Sequence, residues 1–426
     1  MANKKEKMSA VERLKALFDE GSFSELFAGK NSSVVVGTGL VLGKTVYAFS
    51  QDREVENGAV GKGYYEKVKG LYDLAYKTGN PVVGIYDSFG AKLTEAPDAL
   101  KALSEVNKRA ATLSGVVPQI AVVLGTCAGA FATSAASADL VIASADAEIF
   151  MNSAFFGDDS EEDLSGVVAV KAKTEVDAIE EARSIIDKLP SNNLSETALY
   201  EFVNKAEPTE KNACGYAVFL ADDGSETPLY EEAGVYASLS TIGGNVALLL
   251  ATPKEMTDCA AVKMTKLIKL ADAYSVPIVS VVDSEGIMPS KTSTGSYSML
   301  FKAIAEATTA KINVITGSAF GAFLVGYVMS GADFTIATNS AVISPIKPSA
   351  AAYALKADEM EGKTEKEAID KITAEYIAEN CTAEKAAENG IVTDVSTDEE
   401  LKAKVIAALN ILSTKKESTL PKKHSI

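Results

Sequence analysis

The chain is written twice, and this repetition limits what it can fold into more than any other feature. The run Gly43-Lys44-Thr45-Val46-Tyr47-Ala48-Phe49 returns as Gly243-Gly244-Asn245-Val246-Ala247-Leu248-Leu249, 200 positions later. Pro81-Val82-Val83-Gly84-Ile85-Tyr86-Asp87-Ser88 returns as Pro277-Ile278-Val279-Ser280-Val281-Val282-Asp283-Ser284, offset 196. The small-residue turn Gly125-Thr126-Cys127-Ala128-Gly129-Ala130 returns as Gly317-Ser318-Ala319-Phe320-Gly321-Ala322, offset 192, and Ala138-Asp139-Leu140-Val141-Ile142-Ala143 returns as Ala332-Asp333-Phe334-Thr335-Ile336-Ala337, offset 194. Four blocks in the same order at a nearly constant offset are hard to obtain by chance. The period is far too long for a solenoid, so this is a duplicated domain.

Each copy alternates strand and helix. Between the first two blocks runs an amphipathic segment, with Tyr65, Val68, Tyr72 and Tyr76 as its apolar positions in one copy and Met264, Leu267, Ile268 and Ala271 in the other. Such alternation predicts an α/β fold, a mainly parallel sheet with helices packed on it. The division is placed between residues 212 and 213, giving domains 1–212 and 213–426. Asp158 to Lys211, rich in Glu, Asp, Lys and Ser, reads as helical elaboration and a link. After Pro348, charged helices are expected over Lys366–Asn380 and Asp398–Leu412.

Composition excludes several kinds of chemistry. With 41 basic against 58 acidic residues the net charge is −17, which argues against binding nucleic acid through its phosphates. The four cysteines, Cys127, Cys214, Cys259 and Cys381, form no C-x-x-C pair, so neither a disulfide framework nor a thiolate metal site is expected. The single histidine, His424, lies two residues from the end, which leaves no imidazole for a Ser-His-Asp or Cys-His nucleophile and no His-ligated metal. Any catalysis must then rest on backbone dipoles, carboxylates, lysines or the substrates themselves. The N-terminal stretch has no apolar run of a signal peptide. Ile312 to Ala332, 21 uncharged residues, is long enough to span a bilayer, but its β-branched start and Gly317-Ser318 favour a buried strand, turn and helix. A soluble, cytoplasmic protein is expected.

The glycine turns are the candidate sites. At Gly125 to Ala130, between an apolar strand (Ile120 to Leu124) and a helix of tiny residues (Ala130 to Ser137), backbone can approach a ligand closely and adjacent N–H groups can point at developing negative charge. That is the anatomy of an oxyanion hole, although close packing of helix on strand would also select small residues. One such turn per half suits a two-substrate reaction. Ser88 and Ser284 follow strand-end aspartates and read as caps. Cys127 reads as a small buried thiol, since no base stands by to ionise it. Lys92 and Glu95 lie within reach of a phosphorylated ligand or another subunit, with a solvated loop as the alternative.

At this point the residues resemble a family, the biotin-dependent acyl-CoA carboxyltransferases. The similarity is carried by Arg13 to Phe23, by Val46 to Asp52, and by Asp87-Ser88-Phe89-Gly90-Ala91-Lys92 where the family has Asp-Ser-Gly-Gly-Ala-Arg. Pro118-Gln119-Ile120 and Gly125-Thr126-Cys127-Ala128-Gly129-Ala130 resemble its Pro-Gln-Ile and Gly-Pro-Cys-Ala-Gly-Gly signatures, and Ala319-Phe320-Gly321-Ala322-Phe323 resembles Ala-Tyr-Gly-Gly-Ala. The tail Leu420 to Ile426 resembles the family's basic end. The chain departs from the family at both Gly-Gly pairs, now Gly-Ala, at Asp283 to Ser290, and at Glu161 to Ala169, where a histidine is absent.

The resemblance implies two crotonase-like domains of the ClpP/crotonase type. It implies an acyl-CoA thioester mainly on the first half and carboxybiotin on the second half of a neighbouring subunit, in a homo-oligomer that is commonly a hexamer. The first oxyanion hole then falls on the N–H groups of Gly129 and Ala130, for the ureido oxygen, and the second on Ala322 and Phe323, for the thioester oxygen. Gly125, Cys127, Ala128, Gly321, Ser88 and Lys92 are the cofactor-side positions, and Leu324 and Val325 shape the acyl pocket. The implied chemistry passes a carboxyl group from biotin to an acyl enolate with no side-chain base, which agrees with the missing histidine. Partners would be a biotin carboxyl carrier protein and either a biotin carboxylase or, for a sodium-pumping decarboxylase, a membrane subunit. A non-catalytic scaffold is the reading from another class.

Overall fold

The computed structural model describes residues 7–29, 32–150, 166–204, 208, 210–231, 234–356 and 365–416. The chain divides into two compact units, Met1–Ala198 and Leu199–Ile426. Part of the Glu161–Ala169 segment, the tail with His424, and part of the Asp158–Lys211 link lie outside the described residues.

The first unit holds strands β1 (Ser24–Leu26), β2 (Val34–Val41), β3 (Lys44–Gln51), β4 (Val82–Ser88), β5 (Gln119–Ala128), β6 (Leu140–Ser144), β7 (Glu148–Phe150) and β8 (Val170–Ala172), with helices α1 (Ala10–Leu17), α2 (Lys62–Thr78), α3 (Ala96–Leu113), α4 (Ala130–Ala136) and α5 (Glu175–Lys188). Its sheet runs β1-β2-β3-β4-β5-β6-β8, with β7 paired to the far end of β5. Pairing is antiparallel through β3 and parallel beyond it. All seven residues of β4 and all ten of β5 are buried, as a parallel strand covered on both faces requires.

The second unit repeats this plan. Its strands are β9 (Thr227–Pro228), β10 (Tyr236–Ile242), β11 (Asn245–Ala251), β12 (Glu255–Met256), β13 (Ile278–Ser284), β14 (Gly286–Ile287), β15 (Lys311–Phe320), β16 (Phe334–Thr338), β17 (Val342–Ser344) and β18 (Asp394–Ser396). Its helices are α6 (Ala213–Leu220), α7 (Asp258–Ala273), α8 (Ser293–Glu306), α9 (Gly321–Phe323), α10 (Pro348–Lys356), α11 (Glu365–Asn380), α12 (Ala383–Glu388) and α13 (Asp398–Leu412). The order β9-β10-β11-β13-β15-β16-β18, with β17 on β15, is that of the first sheet strand for strand. Only the small β12–β14 ladder has no counterpart among the described strands. At both edges of both sheets the last strand is only two or three residues long.

Duplication extends to anchoring. Asp19, just past α1, accepts the N–H groups of Leu42 and Gly43 in the β2–β3 turn and pairs with Arg183 of α5. Asp222, just past α6, accepts those of Gly243 and Gly244 and faces Lys402 of α13 at 3.6 Å. A carboxylate thus ties each hairpin turn to a helix that closes the unit.

The helix expected over Tyr65–Tyr76 forms, but its buried face is rotated from the expected one. Tyr64, Val68, Leu71, Tyr72 and Ala75 point inward, Tyr65 is only half-buried and Tyr76 is 61% exposed. Tyrosine at four positions made two faces look equally apolar. In the second unit Met264, Leu267, Ile268 and Ala271 are all buried as expected. The long uncharged stretch resolves into strand β15, the Gly321 turn and a π-helical segment, Leu324–Met329. Among the described residues no helix is long and apolar enough to cross a membrane.

Candidate active site

In each unit the central strand carries an irregularity where its neighbour ends. Tyr86 of β4 lies opposite Val123 of β5, yet Ser88 lies opposite Cys127, so β5 bulges over Leu124, Gly125 and Thr126. Val282 lies opposite Ile315 and Ser284 opposite Ala319, which places the same bulge over Thr316, Gly317 and Ser318.

Each bulge is built around a buried aspartate. A side chain on Gly125 would collide with the Asp87 carboxylate, and one on Gly317 with that of Asp283. Asp87 accepts from Arg13 of α1 at 3.0 Å and from Arg53 at 2.9 Å, and its own N–H donates to Gln51 Oε1. Asp283 accepts from Lys254 Nζ at 2.6 Å and from the Ser318 N–H at 2.7 Å, and its N–H donates to Thr252 Oγ1. The following serines cap the strand ends: Ser88 Oγ accepts the Gly90 N–H, and Ser284 Oγ accepts that of Gly286. Sequence reasoning gave Gly125 to a ligand, whereas the room it leaves is filled by Asp87. The repeated Asp-Ser was visible, but nothing in it revealed a shared bulge.

Past the bulge each strand turns outward at a glycine. Gly129 has φ 61° and Gly321 φ 60°, a region that side-chain-bearing residues rarely enter. The next residue, Ala130 or Ala322, is exposed, and the one after it, Phe131 or Phe323, is buried. The phenylalanines anchor the turns. Phe131 meets Tyr64 and Tyr86 edge-on with centroids 5.6 and 6.2 Å away, and Phe323 stacks on Tyr327 at 5.0 Å. N–H groups in the first turn of a helix have no carbonyl one turn behind them, so Ala130 and Phe131, and likewise Ala322 and Phe323, present amide donors at a surface lined by one methyl group.

The donors expected from sequence are Gly129 with Ala130 in one half and Ala322 with Phe323 in the other, pairs that differ by one position between the two turns. The structure aligns Gly129 with Gly321, Ala130 with Ala322 and Phe131 with Phe323. The Gly129 N–H is already engaged, donating to the Phe150 carbonyl at 2.8 Å across to β7.

The remaining expected positions sort by burial and pairing. Cys127 is fully buried, and burial with the nearby Asp87 carboxylate pushes its thiol up to about 12, which removes it as a nucleophile at neutral pH. Ala128 is buried beside it, and the Ser88 hydroxyl is occupied by the Gly90 amide. Lys92 does not stand free for a phosphate. Its ammonium lies 2.9 Å from Glu56 and 3.1 Å from Glu95, hydrogen bonds that raise its pKa, and an incoming anion would meet both carboxylates. Of the two acyl-pocket candidates Leu324 is buried and Val325 is exposed.

Known proteins resemble this chain over nearly its whole length. The profile of the family described as "Carboxyl transferase domain" matches residues 2–157 and 256–426. The methylmalonyl-CoA decarboxylase subunit alpha of Veillonella parvula is 32% identical, over 98% of this chain and 92% of its own length. The propionyl-CoA carboxylase beta chain of Saccharopolyspora erythraea is 31% identical over 99% of this chain and 90% of its own. Among solved structures, a transcarboxylase 12S hexamer crystallised with methylmalonyl-coenzyme A and methylmalonic acid superposes with a TM-score of 0.90 at 26% identity, covering 99% of this chain and 92% of that one.

Proposed function

The chain belongs to the carboxyl transferase family, and from that premise we propose that its two crotonase-like units move a carboxyl group between biotin on a carrier protein and a short acyl-CoA through an enolate. The observation that carries this reading is the paired turn: a positive-φ glycine, an exposed alanine and a buried phenylalanine, set identically in both units. Both half-reactions place negative charge on a carbonyl-type oxygen, and each turn offers amide donors beside an exposed alanine, which fits a planar ureido or thioester group.

Biotin, when bound, supplies the activated carboxyl group and the basic ureido system that takes the substrate's α-proton. What this chain contributes is positioned N–H groups. At the first turn these are the N–H of Ala130 with that of Phe131, and at the second those of Ala322 and Phe323. Such donors act on charge that develops in the transition state, and removing one from an oxyanion hole typically costs about 100- to 1000-fold in kcat. A binding surface without ionisable side chains is sufficient for this chemistry, and it agrees with a sequence whose one histidine is at its tail. Val325 is the side chain proposed to border the acyl group.

The chain is proposed to act in the cytoplasm as a homo-oligomer with a biotin carboxyl carrier protein. The decarboxylase relative favours a second version of the same reaction, run from a carboxylated thioester toward biotin with a membrane subunit downstream. The test is biocytin-dependent loss of methylmalonyl-CoA or malonyl-CoA with the purified chain alone. Loss that requires biocytin is expected, and the faster thioester names the acyl class. No loss with either thioester, in protein that remains folded, would overturn the proposal.

A further inference from the structure

Both halves of the chain keep one arrangement beneath the catalytic turn, although most residues around it differ. A strand-end aspartate fills the space left by a glycine in the neighbouring strand. Its backbone N–H is held by a side chain at or just past the end of the strand paired with it, Gln51 of β3 or Thr252 after β11, and its carboxylate is held by a cation two residues further on, Arg53 or Lys254. The next residue is a serine that caps a positive-φ glycine, Gly90 or Gly286. A buried carboxylate is costly unless paired, so retention of the whole set in both halves calls for a role beyond packing.

The second unit shows that role most directly. Asp283 Oδ1 accepts both the Lys254 ammonium and the Ser318 N–H, so one oxygen connects a surface cation to the bulge in β15. From Ser318 the strand runs without interruption through Ala319 and Phe320 to Gly321, where the donor turn begins. We propose that Asp283, held by Lys254, is a positioning residue that sets the direction of the Ala322 and Phe323 N–H groups, and that Asp87, held by Arg13 and Arg53, does the same for the first turn. The pairing with a cation has a second effect. A carboxylate at the root of an oxyanion-binding turn opposes the charge that develops there, and the lysine cancels that opposition. This inference rests on the carboxyl-transfer reading above.

Lys254 is more than half exposed and can be replaced without threatening the core. With methylmalonyl-CoA or malonyl-CoA and biocytin, Lys254→Met should lower kcat about tenfold with KM changed less than twofold, and Lys254→Arg should recover most of the rate. Asp283→Asn should lower kcat by a similar factor. The double variant Asp283→Asn/Lys254→Met should be no slower than Lys254→Met alone, because it leaves no uncancelled charge. The infrared stretch of a carbonyl-labelled acyl-CoA provides a readout that a purely structural role would not move. Its shift to lower frequency on binding should shrink in Lys254→Met and in Asp283→Asn, even where melting temperatures match the unsubstituted protein. Unchanged kcat and an unchanged carbonyl shift in folded variants would overturn the inference. If the unsubstituted chain fails to transfer but still binds acyl-CoA, the transfer reading falls and the carbonyl shift still decides the positioning role; if it binds no acyl-CoA, both fall.

Discussion

The two donor turns share a backbone and differ in what fastens them. In the first unit Asp87 is held from two sides, by a fully buried arginine of α1 and by Arg53, whose guanidinium also lies 5.0 Å over the Phe89 ring. Arg13 in turn reaches Glu175 at the start of α5, so the turn is connected to two helices. In the second unit Asp283 has a single, largely exposed lysine, and the helix after the turn widens into a π-helical segment instead of continuing as α. What both halves have kept is the path of the main chain: bulge, glycine, amide donors. What has drifted is the set of partners of the retained aspartate, two arginines and Gln51 in one half against Lys254 and Thr252 in the other. This is the pattern expected if the chemistry is done by peptide groups, which a change of side chain cannot remove.

That comparison is broken most severely by deleting a donor. Proline carries no N–H and is tolerated in the first turn of a helix, where Ala130 is the first residue of α4 and Ala322 the second of α9, so Ala130→Pro and Ala322→Pro should each lower kcat by about 100- to 1000-fold, with the smaller change in urea midpoint for Ala130→Pro. Transfer rates within a factor of three of the parent in either variant would remove that turn from the mechanism. Valine at position 129, by contrast, is a poor test. The positive φ of Gly129 makes a β-branched residue strained there whatever space is available, so lost activity would be mixed with lost stability.

The different fastening is sharpened by adding one methyl group at the bulges. Gly125→Ala and Gly317→Ala both push a Cβ into a carboxylate, and overpacking of this kind costs on the order of 1–3 kcal/mol. Asp87 is held by two arginines and cannot yield, whereas Asp283 can move with its exposed lysine. Urea unfolding should therefore show the larger loss for Gly125→Ala, and equal losses would mean that the two clamps are equally rigid.

The smallest effect concerns the hairpin anchor of the first unit. Burial raises the Asp19 pKa, but the N–H groups of Gly43 and Leu42 and the Arg183 guanidinium outweigh it, and the carboxyl ends below its ordinary value. A group whose folded pKa is depressed stabilises above its unfolded pKa, and that contribution disappears as pH falls through the folded one. Asp19→Asn should thus lower stability by about 1–2 kcal/mol at neutral pH, with the gap between variant and parent closing as pH falls through the depressed folded pKa. A gap that stays constant on acidification would show that the carboxylate charge is not what holds the turn.

Much of this architecture is legible in the sequence because it is repeated. A buried parallel strand is apolar along most of its length, so Pro81–Ser88 and Pro277–Ser284 announce themselves, and the nearly constant offset of four blocks shows that both halves follow one plan. The turns are legible as turns. Which amides are available is not, because spacing cannot tell which one is already bonded to a neighbouring strand, and only β7 shows that the Gly129 N–H is taken. The bulges are invisible for a related reason: the small residues Gly125-Thr126 and Thr316-Gly317-Ser318 fit a turn after the strand as well as a strand that continues. For Lys92 the sequence offers an anion site or a solvated loop, and spacing does not show that Glu56, 36 positions earlier in the chain, is folded against it.

The short strands that border both sheets bear on how such a chain assembles at all. A polypeptide carrying two copies of one topology risks cross-matching, in which a strand of one half zips onto the rim of the other while the protein is still forming. Long, open rims would invite that error and would also nucleate aggregation. Here the outermost strand at each rim is only two or three residues long, and one of them, β9, includes Pro228, which has no hydrogen to give. A newly made chain therefore finds little to hold at a wrong border. Strand length at the margins acts as a proofreading device, built into the same repetition that furnishes two matched turns.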